Sequence, residues 1–332
     1  MLFPNRYKTP LDDYDMQNAI DIIRSTFQKE LSKSLNLKRV SAPLFVKKNI
    51  GINDDLSGKE KPVSFSVPCL NKEVEVVQSL AKWKRVALKK YNFHTYKGLW
   101  TDMNAIRKDE KIDNFHSIYV DQWDWEKIIE NKDRNIDYLK DTVNQIAKSI
   151  YNTYQVLKKK YPSLKTSIKK DVYFITSQKL EDMYPNLSPK QREDAICRKH
   201  KLVFIIGIGD KLKSGKVHDF RAPDYDDWNL NGDLLYYHKT LDCSLEISSM
   251  GIRVNSDTMM SQLKKSKHLD RLNYEYHQSL LNNELPQTIG GGIGQSRLCM
   301  LLIGCAHIGE VQSSIWSDKD IKDCLNNNIH LL

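Results

Sequence analysis

Gly290-Gly291-Gly292-Ile293-Gly294-Gln295-Ser296-Arg297-Leu298 places four of the chain's 14 glycines within five positions. Glycine lets a backbone come close to a ligand. Gln295 opens a stretch read as a helix over 295–303, and a helix N-terminus offers free N–H groups and a positive dipole end to phosphate. Arg297, in the first turn, can present its planar guanidinium fork to a terminal phosphate. A flexible turn ahead of a helix accounts for the glycines alone equally well. The stretch is not a Walker loop, since no G-K-[ST] follows. It is not a dinucleotide fingerprint either, because it lies near the C-terminus without room for a downstream βαβ unit.

Upstream, Arg221-Ala222-Pro223-Asp224-Tyr225-Asp226-Asp227-Trp228 is followed by Asn231-Gly232-Asp233 and then Glu246. Asp233 and Glu246 flank two expected strands that a tight connection brings side by side. Paired carboxylates suit Mg²⁺, which keeps waters and substrate phosphates in its shell, and a nucleotide's phosphates need such a bridge besides arginines. A solvated acidic loop is the plain alternative for Asp224, Asp226 and Asp227; it is weaker for Glu246, which sits between Leu245 and Ile247. Further upstream, Arg107 precedes a polar loop and a strand expected over 116–120. After it, in Asp121-Gln122-Trp123-Asp124-Trp125-Glu126, strand alternation puts Asp121, Trp123 and Trp125 on one face and Gln122, Asp124 and Glu126 on the other. A face with glutamine and two carboxylates can hold an ammonium group; a capped, aromatic-rich corner is the bland alternative.

The remaining composition narrows the class. Lys and Arg number 51 against 42 Asp and Glu, a net charge of +9 over 332 residues. Such a chain attracts polyanions, but its lysines are spread thinly, as on an ordinary solvated surface. The six cysteines form no C-x-x-C pair, which speaks against structural zinc and a disulfide framework. Each is read as a small buried hydrophobe, in a reducing cytoplasm. No apolar run is long enough to span a membrane, and the N-terminus shows no signal-peptide pattern. G-x-S-x-G and H-E-x-x-H are absent, and Leu2 stands where an N-terminal cysteine amidotransferase carries its nucleophile. Helices are expected over 14–36, 79–90, 136–157, 188–200 (opened by a capping box at Ser188 and Gln191), 257–266, 270–282 and 295–303. Strands are expected over 63–67, 74–77, 172–175, 202–206, 234–238, 243–247 and 251–254. Residues 49–62 read as a loop. No repeat or low-complexity linker divides the chain, so one compact domain is expected.

Taken in order, these pieces resemble the three motifs of class II aminoacyl-tRNA synthetase catalytic domains. Helix 14–36 and the segment broken at Pro43 resemble motif 1 (14–45), Arg107 and the strand after it motif 2 (105–126), and the glycine stretch with its helix motif 3 (286–303). Gln78-Ser79 with Lys84, Gln122 to Glu126, and Glu246 with Ser249-Met250-Gly251-Ile252-Arg253 resemble the aspartyl and asparaginyl members. Ser79 to Arg85, Tyr119 to Glu126, Arg221 to Trp228, Ser248 to Val254 and Pro286 to Leu298 are similar to the ammonia-dependent aspartate–ammonia ligases (asparagine synthetase A), a resemblance running from about residue 16 to 317. One departure is that Asn229 to Asp233 follow Trp228 at once, where bacterial members carry a longer segment. The shape of the loop expected there, and its part in closing the site, stay open.

The resemblance implies an α+β fold, a mainly antiparallel sheet flanked by helices, with 1–332 a single class II synthetase-like catalytic domain forming a homodimer. It implies ATP, Mg²⁺, L-aspartate and ammonia as substrates and cofactor, with no nucleic-acid or membrane partner. The aspartate side chain would attack the α-phosphorus, and ammonia would then convert β-aspartyl-AMP to asparagine and AMP. Arg107 would stabilise the α-phosphate, Arg297 hold the γ-phosphate and Arg221 assist; Val120 and Asp226 complete the ATP set, and Asp233 and Glu246 hold the metal. Lys84 and Arg253 would clamp the α-carboxylate and Asp124 take the α-ammonium, with Ser79 and Ser249 nearby. Gln122 and Asp54 would face the reacting amide, Asp54 attracting NH₄⁺ or taking its proton. The alternative is a synthetase paralogue acting on tRNA or another RNA. The +9 charge speaks for it; against it, the motifs occupy the chain and leave no anticodon-binding module.

Overall fold

Met16, Ile20, Ile23, Phe27, Leu31 and Leu35 recur at helical spacing and form the buried stripe of α1 (Asp13–Leu35), whose first turn is capped by Asp12. The computed structural model describes residues 1–54, 56 and 60–332. After α1 come β1 (Leu37–Arg39), β2 (Phe45–Lys47), β3 (Ser64–Val67), β4 (Lys72–Val76), α2 (Ala81–Lys90), β5 (Gly98–Ile106), β6 (Tyr119–Ile128) and α3 (Ile136–Lys160). The second half adds β7 (Tyr173–Thr176), α4 (Ser177–Met183), α5 (Pro189–His200), β8 (Leu202–Ile206), β9 (Asp226–His238), β10 (Cys243–Arg253) and α6 (Ser256–Ser266). It closes with α7 (Glu275–Leu281), β11 (Thr288–Gly294), α8 (Gln295–Ile303) and α9 (Asp318–Asn326).

Eight strands form one sheet in the order β1-β5-β6-β11-β10-β9-β8-β7. Only its two edge pairs, β1 with β5 and β7 with β8, are parallel; the interior is antiparallel. β2, β4 and β3 make a small separate sheet. Ile23 and Phe27 of α1, Ile146 and Ile150 of α3 and Leu298 of α8 share one apolar cluster with Trp123, Trp125, Met250 and Ile293. Those inward residues alternate along their strands with Gln122, Asp124, Ser249 and Gly292, which line a cavity on the opposite face. A period-2 chain buried on one face has one face left for chemistry.

Several expectations are met closely, including the capping box of Ser188 and Gln191 at the start of α5 and the buried run of β8. Others shift. Residues 116–118 lie outside a strand, and Asp121 to Glu126 sit within β6 rather than after a strand at 116–120. β5 was not anticipated, because Thr101, Asp102 and Asn104 interrupt its apolar residues. Two short strands expected over 243–247 and 251–254 are one strand, β10, with irregular register between Glu246 and Ser248 and between Gly251 and Arg253. Asp226 and Asp227, for which a solvated acidic loop is the plain alternative, open β9, and the segment on to Asp233 is the first half of that strand. Asn231 holds it there, donating to Ile208 O and accepting from Ile208 N–H, each at 2.9 Å. A Cβ on Gly232 would meet Ile205 O at 2.2 Å, so glycine is needed for β8 to pack there. The segment after Trp228 is therefore strand and cannot act as a closing loop. Five cysteines are buried, but Cys69 is exposed, contrary to the expectation for all six. Among the described residues no helix is long and apolar enough to cross a membrane.

Two core histidines give the fold a pH dependence. Burial holds His238 and His307 down from 6.5 to about 4. The folded pKa lies below the unfolded one, so the unfolded chain takes up protons first as pH falls. The stability from these neutral rings is full above about 6.5 and is lost as pH falls toward 4. By about pH 5 each costs roughly 1–2 kcal/mol. Melting at pH 7 and at pH 5 should show a lower Tm at pH 5, with a smaller gap in His238→Gln. An equal gap in the variant would refute the assignment to His238.

Candidate active site

The register across three strands assembles the site. β11 pairs with β6 so that Gly290 faces Glu126, Gly292 faces Asp124 and Gly294 faces Gln122; on its other side Gly292 faces Ser249 of β10. The glycines are needed for space, not for backbone conformation. A Cβ on Gly290 would stand 1.9 Å from Glu126 Oε2 and 2.6 Å from Arg253 Nη2, and one on Gly292 would stand 2.5 Å from Gln122 Oε1 and 2.8 Å from Asp124 Oδ1. Gly290 and Gly292 make room for side chains, and Gly291, Gly292 and Gly294 line the cavity, where the backbone can come close to a ligand. At the start of α8 the Ser296 N–H donates to Asp121 at 3.1 Å.

The cavity over these strands holds about 390 Å³. Asp54, Ser79, Lys84, Arg107, Val120, Gln122, Asp124, Arg221, Asp226, Glu246, Ser249, Arg253 and Arg297 all line it; of the expected site residues only Asp233 does not. At one end Lys84, on α2 and 1% exposed, donates to Gly291 O at 2.9 Å and pairs with Asp124 Oδ2 at 3.2 Å. Burial pulls the ammonium pKa down, against the upward pull of Asp124 and Glu126. Arg253, at the end of β10, donates Nε to Glu126 Oε1 at 2.9 Å and Nη2 to Glu126 Oε2 at 2.7 Å, and pairs through Nη1 with Asp226. Glu126 also accepts the Thr288 hydroxyl at 2.6 Å. Glu126 is consumed by these bonds, so the expected two-carboxylate ammonium site reduces to Asp124. Asp124 Oδ1 is buried without a hydrogen-bond partner among the described residues. Asp226, expected with the nucleotide, is held at this end by Arg253.

Asp54 is 2% exposed, and its carbonyl accepts from Gln78 Nε2 at 2.9 Å, which ties the segment to the start of α2. Its neighbours Asp55 and Ser57 to Lys59 lie outside the described residues. Tyr225 was missed by sequence reasoning. It lines the cavity with its ring 5.7 Å from the Arg253 guanidinium, and burial, then Asp54 and Asp226, push its phenol far up. Its signal was masked by the three aspartates around it. Glu110 and Phe115, in the polar loop after Arg107, also line the cavity unanticipated.

Three arginines also line the cavity. Arg107 Nη2 donates to Gln78 O at 3.4 Å, and Arg297 Nη1 lies 3.5 Å from Glu246 Oε1. Arg221 Nη2 pairs with Asp233 Oδ1 at 2.6 Å. Burial, with Glu246 and Asp219 nearby, nevertheless pushes the Asp233 carboxyl up against the pull of Arg221. Glu246 lines the cavity, with Asp233 on the neighbouring strand. No group of three or more His, Cys, Asp or Glu with ligating geometry occurs among the described residues. Mg²⁺ needs only one or two carboxylates beside substrate phosphates and water, so the pair fits it.

The aspartate-ammonia ligase family model matches residues 14–328. The chain belongs to the aspartate–ammonia ligase family. It is 56% identical over 334 residues to the aspartate–ammonia ligase of Ligilactobacillus salivarius and 54% identical over 333 residues to that of Pediococcus pentosaceus, in each case covering 100% of this chain and 99% of the relative. Its fold is shared with class II synthetases. Asparaginyl-tRNA synthetase from Pyrococcus horikoshii, complexed with asparaginyl-adenylate, superposes with a TM-score of 0.66 at 14% identity, over 90% of this chain and 68% of that one. The Entamoeba histolytica asparaginyl-tRNA synthetase gives 0.64 at 16% identity, over 90% and 66%. The α+β class II fold, a mainly antiparallel sheet flanked by helices, is as the sequence implied.

Proposed function

We propose that this protein is an ATP-dependent ligase that makes L-asparagine from L-aspartate and ammonia through β-aspartyl-AMP, with the whole chain acting as one catalytic domain. One observation carries the residue assignment. One cavity is lined by a buried lysine–arginine clamp beside an aspartate with an unsatisfied oxygen, and also by Arg107, Arg221, Arg297 and Glu246. An amino acid with two carboxylates fits that polarity in one direction. Its α-carboxylate goes to Lys84 and Arg253 and its α-ammonium to Asp124 Oδ1, with Ser79 and Ser249 alongside. The side-chain carboxylate then faces Arg107.

A side-chain oxygen attacks the α-phosphorus, the bond to the leaving pyrophosphate breaks, and Arg107 stabilises charge growing on the α-phosphate. Ammonia nitrogen next attacks the acyl carbon, AMP leaves, and the nitrogen sheds a proton. Asp54 would attract NH₄⁺ or take that proton, and Gln122 would orient the acyl oxygen. Arg297 and Arg221 hold the outer phosphates, with Val120 against the nucleotide. Mg²⁺, held by Glu246 and Asp233, would supply charge neutralisation at the phosphates. A homodimer of the motif 1 kind and a cytoplasmic biosynthetic role without RNA belong to the same reading.

Purified protein incubated with ATP, Mg²⁺, aspartate and ammonium should release asparagine, AMP and pyrophosphate in equal amounts. ADP and phosphate in their place would sink the adenylate route. Aspartate transferred to RNA without asparagine would give the function to the RNA-acting alternative.

A further inference from the structure

Asp121 stands on β6 one residue before Gln122, and its side chain is 4% exposed. Its carboxylate reaches the first turn of α8. Oδ1 accepts the Ser296 N–H at 3.1 Å, and Oδ2 accepts the Ser296 hydroxyl at 2.8 Å. Arg24, on α1, donates to Oδ2 at 2.7 Å. Gln312 Nε2 bridges Oδ1 and the Ser296 hydroxyl at 3.2 Å to each. α8 has no side-chain cap of its own, because its N-cap residue is Gly294, and Gln295 turns its amide to Asp102 and the Gln122 carbonyl. A carboxylate from a distant strand therefore does the work of an N-cap.

Arg297 follows Ser296 in the chain. Its tip is loosely held, 3.3 Å from Glu246 O and 3.5 Å from Phe115 O. The direction in which this side chain leaves the backbone is thus set by the first turn of α8, and that turn is fixed by Asp121. We propose that Asp121 is a positioning residue for ATP: it seats the start of α8 so that Arg297 meets the terminal phosphate. By filling the helix N-terminus with its own negative charge, it also keeps phosphate on the guanidinium and off the backbone N–H groups. Arg24 steadies Asp121 from outside the cavity, which links α1 to the nucleotide end. The proposal rests on the reading of Arg297 as a phosphate-holding residue.

Steady-state kinetics on the full chain, with ATP and aspartate varied separately, test it. Displacing a binding group by about 1 Å can cost up to about 100-fold. Asp121→Ala should raise the KM for ATP about tenfold and change that for aspartate by less than about twofold. Asp121→Asn keeps an acceptor for the Ser296 N–H but sets an amide against Arg24, and should fall between wild type and Asp121→Ala. Arg24→Gln, which does not line the cavity, should move the KM for ATP in the same direction. The double variant Asp121→Asn with Arg297→Ala should be no worse for ATP than Arg297→Ala alone. Should Asp121→Ala not fold, the asparagine and Arg24 variants carry the same test. Equal rises in both KM values, a fall in kcat alone, or additive losses in the double variant would overturn the proposal and leave the ligase reading standing. An unchanged KM for ATP in Arg297→Ala would overturn the reading of Arg297 and the proposal with it, and product analysis of the wild type would still report on the reaction.

Discussion

Arg253→Ala should raise the aspartate concentration needed for half-maximal rate by about 100- to 1,000-fold, with the KM for ATP changed only a few-fold. Removing one partner of a desolvated charge pair costs about 2–5 kcal/mol, and Arg253 is 2% exposed, between Glu126 and Asp226. The same loss leaves two buried carboxylates without their cation, so the variant should also melt lower. Arg253→Lys should recover little, because one ammonium cannot engage Glu126 through two nitrogens and Asp226 through a third. Initial rates with ATP and aspartate varied in turn, beside a thermal melt, separate the effects. A variant whose KM for ATP rises as much as that for aspartate would show that Arg253 does not belong to the amino-acid end.

Gly290→Ala should nearly match that loss without removing a charged group. The added Cβ would stand 1.9 Å from Glu126 Oε2 and 2.5 Å from its Cδ. The Glu126 side chain has no open space to swing into, being 0% exposed and bonded to Arg253 and Thr288. The clamp arginine must therefore shift, and a shift near 1 Å at a binding group is worth up to about 100-fold. Gly291→Ala, one residue on, points to the other face and meets Met250 Cβ at 2.6 Å and Ser249 O at 2.7 Å. Its cost should fall on Tm rather than selectively on aspartate. If Gly290→Ala used aspartate as well as wild type does, the glycine stretch would have some role other than making room for the clamp.

These predictions concern residues that differed in how openly the sequence displayed them. Lys84, Gln122, Asp124 and Arg253 stood in contiguous strings whose resemblance to one family was specific. The alternation of Asp121 to Glu126 placed the correct side chains on each face, because a strand's side-chain direction depends only on counting by two. Helices α1, α3 and α5 were legible for a similar reason: their apolar spacing and caps are local. β5 and the first half of β9 were not, since polar residues break their apolar runs: Thr101, Asp102 and Asn104 in the one, Asp226, Asp227, Asn229 and Asn231 in the other. Tyr225 was hidden in the same way among aspartates that all looked like loop.

The sequence by itself determined the family, the fold class and a set of site residues of which all but Asp233 line the cavity, because those are carried by residue identity and short-range spacing. Tertiary structure decided which of these residues hold each other. It assigned Glu126 and Asp226 to Arg253, left Asp124 with an unsatisfied oxygen, turned Gly290 and Gly292 toward side chains, and spent the start of α8 on Asp121. Each of those facts depends on register between strands far apart in the chain. A one-residue slip would move every side chain to the opposite face, and nothing within a single segment records which register its neighbour will take.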